Sequence, residues 1–107
     1  MSEVFQRVLA LARSGEIRVS EHGYDEMADD DLSAREVIAG LLDGAVVEDY
    51  PDYGKGPCVL VLQRDSTGAA IHVVWGIPKG AVSPAVLVTA YRPDPARWSN
   101  DFMRRNK

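Results

Sequence analysis

The stretch Cys58-Val59-Leu60-Val61-Leu62-Gln63-Arg64, then Asp65-Ser66-Thr67-Gly68, then Ala69-Ala70-Ile71-His72-Val73-Val74-Trp75-Gly76 decides the fold. Two runs rich in β-branched and large apolar residues flank four residues that favour a tight turn, so the segment reads as a hairpin. Working outward, Ala45 to Tyr50 reads as a strand stopped by Pro51, and Ala85 to Tyr91 as a strand stopped by Pro93. The connections are short, including the breaker-rich loop Pro51 to Pro57, so consecutive strands should be neighbours in an antiparallel meander. The run Cys58 to Leu62 is apolar at both alternating sets, Cys58, Leu60, Leu62 and Val59, Val61. Such a strand is either covered on both faces or meets a partner on one of them.

The first half reads as helices. Val4, Phe5, Val8, Leu9 and Ala12 share one helical face, with Ser2 placed to cap its start and Gly15 its end. Ile17 to Val19 is too short to assign from the sequence, a brief extended piece being one option. Ser20 can cap a short helix over Glu21 to Asp29, with Tyr24, Met27 and Ala28 on one side, although Gly23 weakens it. Ser33 and Glu36 have the spacing of a capping box, ahead of an apolar stripe of Ala34, Val37, Ile38, Leu41 and Leu42 that Gly44 ends. At the other terminus, Asp94-Pro95 could start a last short helix anchored by Trp98 and Phe102. Helices followed by strands predict an α+β domain: two or three N-terminal helices packed on a four-stranded antiparallel sheet, with a short C-terminal helix. At 107 residues the chain is read as a single domain, 1–107.

Composition narrows function by exclusion. Twelve Lys and Arg against sixteen Asp and Glu leave a net charge of −4, which argues against a general nucleic-acid binder. The charge is uneven: Asp25, Glu26, Asp29, Asp30 and Asp31 are acidic, and Arg97, Arg104, Arg105 and Lys107 are basic. One cysteine, Cys58, permits no intrachain disulfide, which fits a reducing cytoplasm and excludes a cysteine-based zinc site. No signal peptide or membrane-spanning run is evident, so a cytoplasmic protein with no membrane partner is expected. There is no phosphate-binding P-loop, dinucleotide fingerprint, zinc-protease helix or nucleophile elbow, and no cofactor is expected.

His22 and His72 are the only histidines and hence the first candidates for proton transfer near neutral pH. His22 has Glu26 four residues on, on the same helical face, and Asp30 beyond it; this trio is also a remote divalent-metal option, though metal binding is not the expected reading. His72 alternates with Ile71 and Val73 in a strand. Tyr91 ends the last strand with a phenolic donor. Arg92 and Arg64 at strand ends, and Lys55 in the Gly54-Lys55-Gly56 loop, are the candidate contacts for a phosphate or a partner. For each of these residues the plainer alternative is a structural or solvated role.

Several pieces fall into a recognisable order: Ser20-Glu21-His22-Gly23; Met27 and Leu32-Ser33; Val46-Val47-Glu48-Asp49-Tyr50-Pro51; His72-Val73-Val74; Val88-Thr89-Ala90-Tyr91-Arg92-Pro93-Asp94; and Trp98. Over residues 17 to 98 the chain resembles a small bacterial family of unknown function, itself similar to the RelE/barnase-like superfamily of ribonuclease toxins. The resemblance implies helices on a four-stranded antiparallel sheet and metal-independent RNA cleavage. His22 and His72 would then be the acid and base, Tyr91 and Arg92 the phosphate contacts, and RNA or an antitoxin the partner. Glu26 and Asp30 stand where that family often has basic residues. A like-charge contact at about 4 Å costs about 4 kcal/mol at an effective dielectric of about 20, so these anions weaken affinity for RNA. The alternative reading is a non-catalytic interaction module on the same scaffold, recognising a protein partner through the acidic helix or a sheet edge, or pairing with a second copy of the chain as a homodimer.

Overall fold

A computed structural model describes residues 2–106 of the chain. The element order is α1 (Glu3–Arg13), β1 (Ile17–Val19), α2 (Glu21–Asp29), α3 (Ala34–Ala39), a 3-10 turn (Leu41–Asp43), β2 (Ala45–Tyr50), β3 (Cys58–Arg64), β4 (Ala70–Gly76) and β5 (Ala85–Tyr91). The class is α+β as expected. The sheet is not the four-stranded antiparallel one: it has five strands in the order β1-β5-β4-β3-β2 and is mixed. The strands β2 to β5 pair antiparallel in sequence, and β1 pairs parallel with β5, Ile17 opposite Ala85 and Val19 opposite Leu87. Three residues sufficed because the pairing continues past both ends of β1, through Ala85 N–H to the Glu16 carbonyl and Ser20 N–H to the Leu87 carbonyl.

Each helix starts where its capping residue stands. The Ser2 hydroxyl accepts the Phe5 N–H at 3.0 Å, and α1 buries Val4, Phe5, Val8 and Leu9 against the sheet. Ser33 and Glu36 form the reciprocal capping box of α3. The helix behind that box is shorter than the apolar stripe implied. It stops at Ala39, and the backbone tightens through Gly40 into the 3-10 turn, which turns Leu42 out to 60% exposure while Leu41 stays buried.

Ser20 does two things at once. Its hydroxyl accepts the Gly23 N–H at 2.9 Å, starting α2, and donates to the Val88 carbonyl at 2.7 Å, tying that helix to β5. Gly23 is what lets the helix come so close: a Cβ there would lie 2.8 Å from the Val88 carbonyl oxygen.

The C-terminal helix is absent. Residues 94–106 form turns closed by a bridge between Trp98 and Arg105, with Phe102 at a left-handed φ of 60°. Contacts of Trp98 and Phe102 with His72 and of Arg105 with Glu48 set the course of this segment, and local side-chain hydrogen bonds hold its turns. The Asp94 carboxylate takes the Ala96 N–H, and the Asp101 carboxylate takes both the Ser99 hydroxyl and the Met103 N–H.

The core lies between the helices and one sheet face, built from Val59, Val61, Ile71, Val73, Trp75, Leu87 and Ala90 with the apolar sides of α1 and α2. Gln63 is buried among them, its amide donating to the Val37 carbonyl at 2.7 Å and accepting from the Trp75 indole at 2.9 Å. No helix among the described residues is long and apolar enough to cross a membrane.

Candidate functional site

The sheet face away from the helices carries the alternate residues, and the register arranges them in rows. One row runs Arg18, Val86, Gly76, Cys58, Tyr50 across all five strands. The next holds Thr89, Val74, Leu60 and Glu48, with Val88 as the extra residue of the β5 bulge. The third begins Tyr91, His72, Leu62. This outer face is divided in two.

The His72 end is sealed. Trp98 and Phe102 lie edge-on to the imidazole, at 4.4 Å and 6.4 Å between ring centroids, and Tyr91 sits beside it at 5.7 Å. His72 is 0% exposed. Its Nε2 is 2.8 Å from the Phe102 carbonyl oxygen. A carbonyl only accepts, so Nε2 carries the proton and donates. Nδ1 is buried with no partner among the described residues. Burial pushes the His72 pKa down, against the Phe102 hydrogen bond that raises it. The Tyr91 phenol is pushed up, chiefly by burial. The covering segment is pinned by Arg105, whose Nε and Nη2 both donate to the Glu48 carboxylate at 2.9 Å while its guanidinium lies 4.7 Å from the Trp98 ring centroid. Tyr50 also donates to Glu48, at 2.7 Å. Arg105 is the main cause that Glu48 is held below the ordinary carboxylate range.

The other end is open. A trough of about 540 Å³ lies over the first two rows, floored by Cys58, Leu60, Val74, Gly76, Val86 and Val88. Tyr50, Tyr53, the Gly56-Pro57 and Ile77-Pro78 backbones, Arg18 and Lys55 form its walls. The volume falls within the range of small-molecule sites, roughly 300–1,000 Å³. To that floor Gly76 contributes no side chain and Cys58 a small one. The Cys58 thiol is pushed up, first by burial and then by Asp49, so it stays neutral and behaves as part of the apolar floor.

The residues singled out from the sequence do not assemble at one point. His72 and Tyr91 are together, beneath the C-terminal segment. His22 is elsewhere, 70% exposed on α2 and paired with Glu26 at 3.2 Å. Arg92 is occupied: its N–H donates to the Asp30 carboxylate at 2.8 Å, its Nε to the Asp30 carbonyl at 3.1 Å, and its Nη1 to Asp65 at 2.8 Å. Arg92 is also the main reason Asp65 is held far below the usual carboxylate range. Arg64 is exposed at the end of β3, and Lys55 lines the open trough. Among the described residues no three His, Cys, Asp or Glu side chains gather as a metal site. Arg18, Gly76 and Val88 are not apparent as site residues from the sequence. The one available signal was the two-faced apolarity of β3, which announces an occupied outer face without saying which neighbours share it.

Fold and site together define a class: a small α+β sheet domain with helices on one face, the other face half covered by its own C-terminal segment and half open as an apolar trough. The family model described as a domain of unknown function, DUF4258, matches residues 19–92, and the chain belongs to that family. The matched stretch runs from the last residue of β1 to the residue after β5; α1 and the segment over His72 lie outside it. No solved structure matches the chain.

Proposed function

We propose that the chain is a binding module whose working surface is the open half of the outer sheet face. The observation that carries this reading is the contrast between the two halves of that face. The proton-transfer candidate, His72, is fully covered and spends its one N–H on the Phe102 carbonyl, while the trough beside it is accessible, apolar and of small-molecule size. The reading moves recognition from the acidic helix and the sheet edge to the sheet face, because that is where a concave, mostly apolar lining lies.

A thermal-shift screen of small apolar compounds tests it. Compounds are expected to raise the melting temperature of the natural chain and not that of Gly76→Val, whose added side chain fills the trough floor. A Cβ at Gly76 would meet Pro57, Cys58 and Val88 at 3.4–3.6 Å, ordinary contact distances, so the variant is expected to fold.

A second reading retains metal-independent RNA cleavage by a RelE-like, toxin-like enzyme. Its support is the pairing of His72 with Tyr91 at 5.7 Å, close to Arg105. It requires the C-terminal segment to leave the face. Cleavage of a short RNA by the intact chain, lost in His72→Gln, would replace the first reading with this one.

A further inference from the structure

The charges around the trough point to the class of ligand, an inference that rests on the binding-module reading. The chain carries an excess of acid, sixteen Asp and Glu against twelve Lys and Arg. The residues lining the trough reverse that balance: Arg18 and Lys55 are the charged residues there, and neither Asp nor Glu is among them. Among the described residues neither cation forms an ion pair, whereas Arg92, Arg97 and Arg105 each have a carboxylate partner. Arg18 stands at one end of the five-residue row and Tyr50 at the other, four strand spacings away, or about 19 Å across the sheet. Lys55 belongs to the β2–β3 loop and is held next to the following loop by the Lys79 N–H on its carbonyl. The floor itself is hydrocarbon and a neutral thiol; Asp49 is near enough to raise the Cys58 thiol, and Glu48, which accepts from Tyr50, is paired with Arg105.

From this we infer that the trough takes an apolar monoanion: a compact aliphatic or aromatic body lying over Val74, Gly76 and Val88, its carboxylate at the rim, turned to Arg18 or to Lys55. The apolar body supplies affinity by leaving water. The two unpaired cations supply selection for charge, because beside a low-dielectric floor an opposite charge is favoured and a positive headgroup is repelled. Arg18 offers a planar fork suited to a carboxylate, and Lys55 a point charge on a flexible four-carbon stem.

Matched pairs of ligands separate this inference from the reading beneath it. Decanoate and 2-naphthoate are compared with decan-1-ol and 2-naphthalenemethanol, and with decyltrimethylammonium, by calorimetric titration of the whole chain. The anions are expected to bind at least about tenfold more tightly than their alcohols, and the cation more weakly than either. In Arg18→Gln/Lys55→Gln the anions should fall to the affinity of the alcohols, with the alcohols unchanged. In Gly76→Val, or Gly76→Ala if the larger variant loses its circular dichroism spectrum, all of the compounds should bind more weakly. Equal affinity for anion and alcohol, or a preference for the cation, overturns charge selection while leaving the binding module intact. No binding of any compound, with the natural chain and Gly76→Val indistinguishable, overturns both.

Discussion

His72 meets Trp98 edge to face, their ring centroids 4.4 Å apart and their planes at 87°. The contact joins the middle of the sheet to a segment outside the matched family region, and it makes the imidazole a titratable group in an apolar enclosure. Its neighbours with charge or a titrating proton are Tyr91, Arg105 and Glu48. Of these, Arg105 lowers the His72 pKa and Glu48 raises it, both less than burial does.

Stability should therefore depend on pH in a window that belongs to His72. The folded imidazole has a pKa below its ordinary 6.5, so between the two values the unfolded chain binds the proton and the folded chain does not. The contribution is complete above about pH 6.5 and is lost as pH falls through the folded value. Glu48 and Asp65 are held below their ordinary values as well, and their contributions fade only as pH falls below 4.5 and 3.8. Between about pH 6.5 and 4.5, urea unfolding of the natural chain should weaken by up to ~1.4 kcal/mol per pH unit, and His72→Gln should flatten that slope. An identical slope in the variant would show that the imidazole is not the group responsible.

Gln63 should be among the least replaceable residues that carry no charge. It is 1% exposed and satisfies two other buried groups, the Val37 carbonyl and the Trp75 indole N–H. Gln63→Leu conserves the apolar bulk and leaves both unpaired. Each orphan costs about 1–3 kcal/mol, so a loss of about 2–6 kcal/mol is expected in equilibrium urea unfolding. A change below about 1 kcal/mol would mean that water reaches the gap.

Gly23→Ala tests a sign. On an isolated helix the change would gain about 1 kcal/mol. Here the new methyl would lie 2.8 Å and 3.1 Å from the carbonyl oxygens of Val88 and Leu87, which belong to the backbone of β5 and cannot swing aside. Overpacking of this kind costs about 1–3 kcal/mol, so a net loss is expected in the melting curve. A rise in melting temperature would mean that α2 rides loosely on the sheet.

What was legible in the sequence was local. Ser2, Ser20 and the Ser33–Glu36 pair announce helix starts because a cap is read within four residues. The Asp65 turn, with its carboxylate on the Thr67 and Ala69 N–H groups, is local as well. The parallel pairing of Ile17–Val19 with Ala85–Leu87 is not, since its partner lies at the far end of the chain. The C-terminal helix was misread for a related reason. Trp98 and Phe102 have helical spacing, yet what places them is His72 and Glu48, on two strands remote in sequence. The trough was illegible by the same logic: its principal row takes one residue from each of five strands, and register between strands is not written in any one of them.

The C-terminal segment gives the last prediction, a contrast between its two attachments. Trp98 is 6% exposed and lies against His72, whereas Arg105 is 62% exposed and holds Glu48 at the surface. Charge pairs in contact with water contribute about 0.2–1 kcal/mol, while burial of an indole contributes several times that. Trp98→Ala should cost about 2–4 kcal/mol in urea unfolding, toward the low side of core Trp truncations because the segment can settle partly into the gap. Arg105→Ala should cost about 1 kcal/mol or less, and high salt should erase most of that difference while leaving the Trp98 effect in place. If Arg105→Ala proved the costlier change, the segment would be held by its charge, and salt alone should then uncover His72 to solvent.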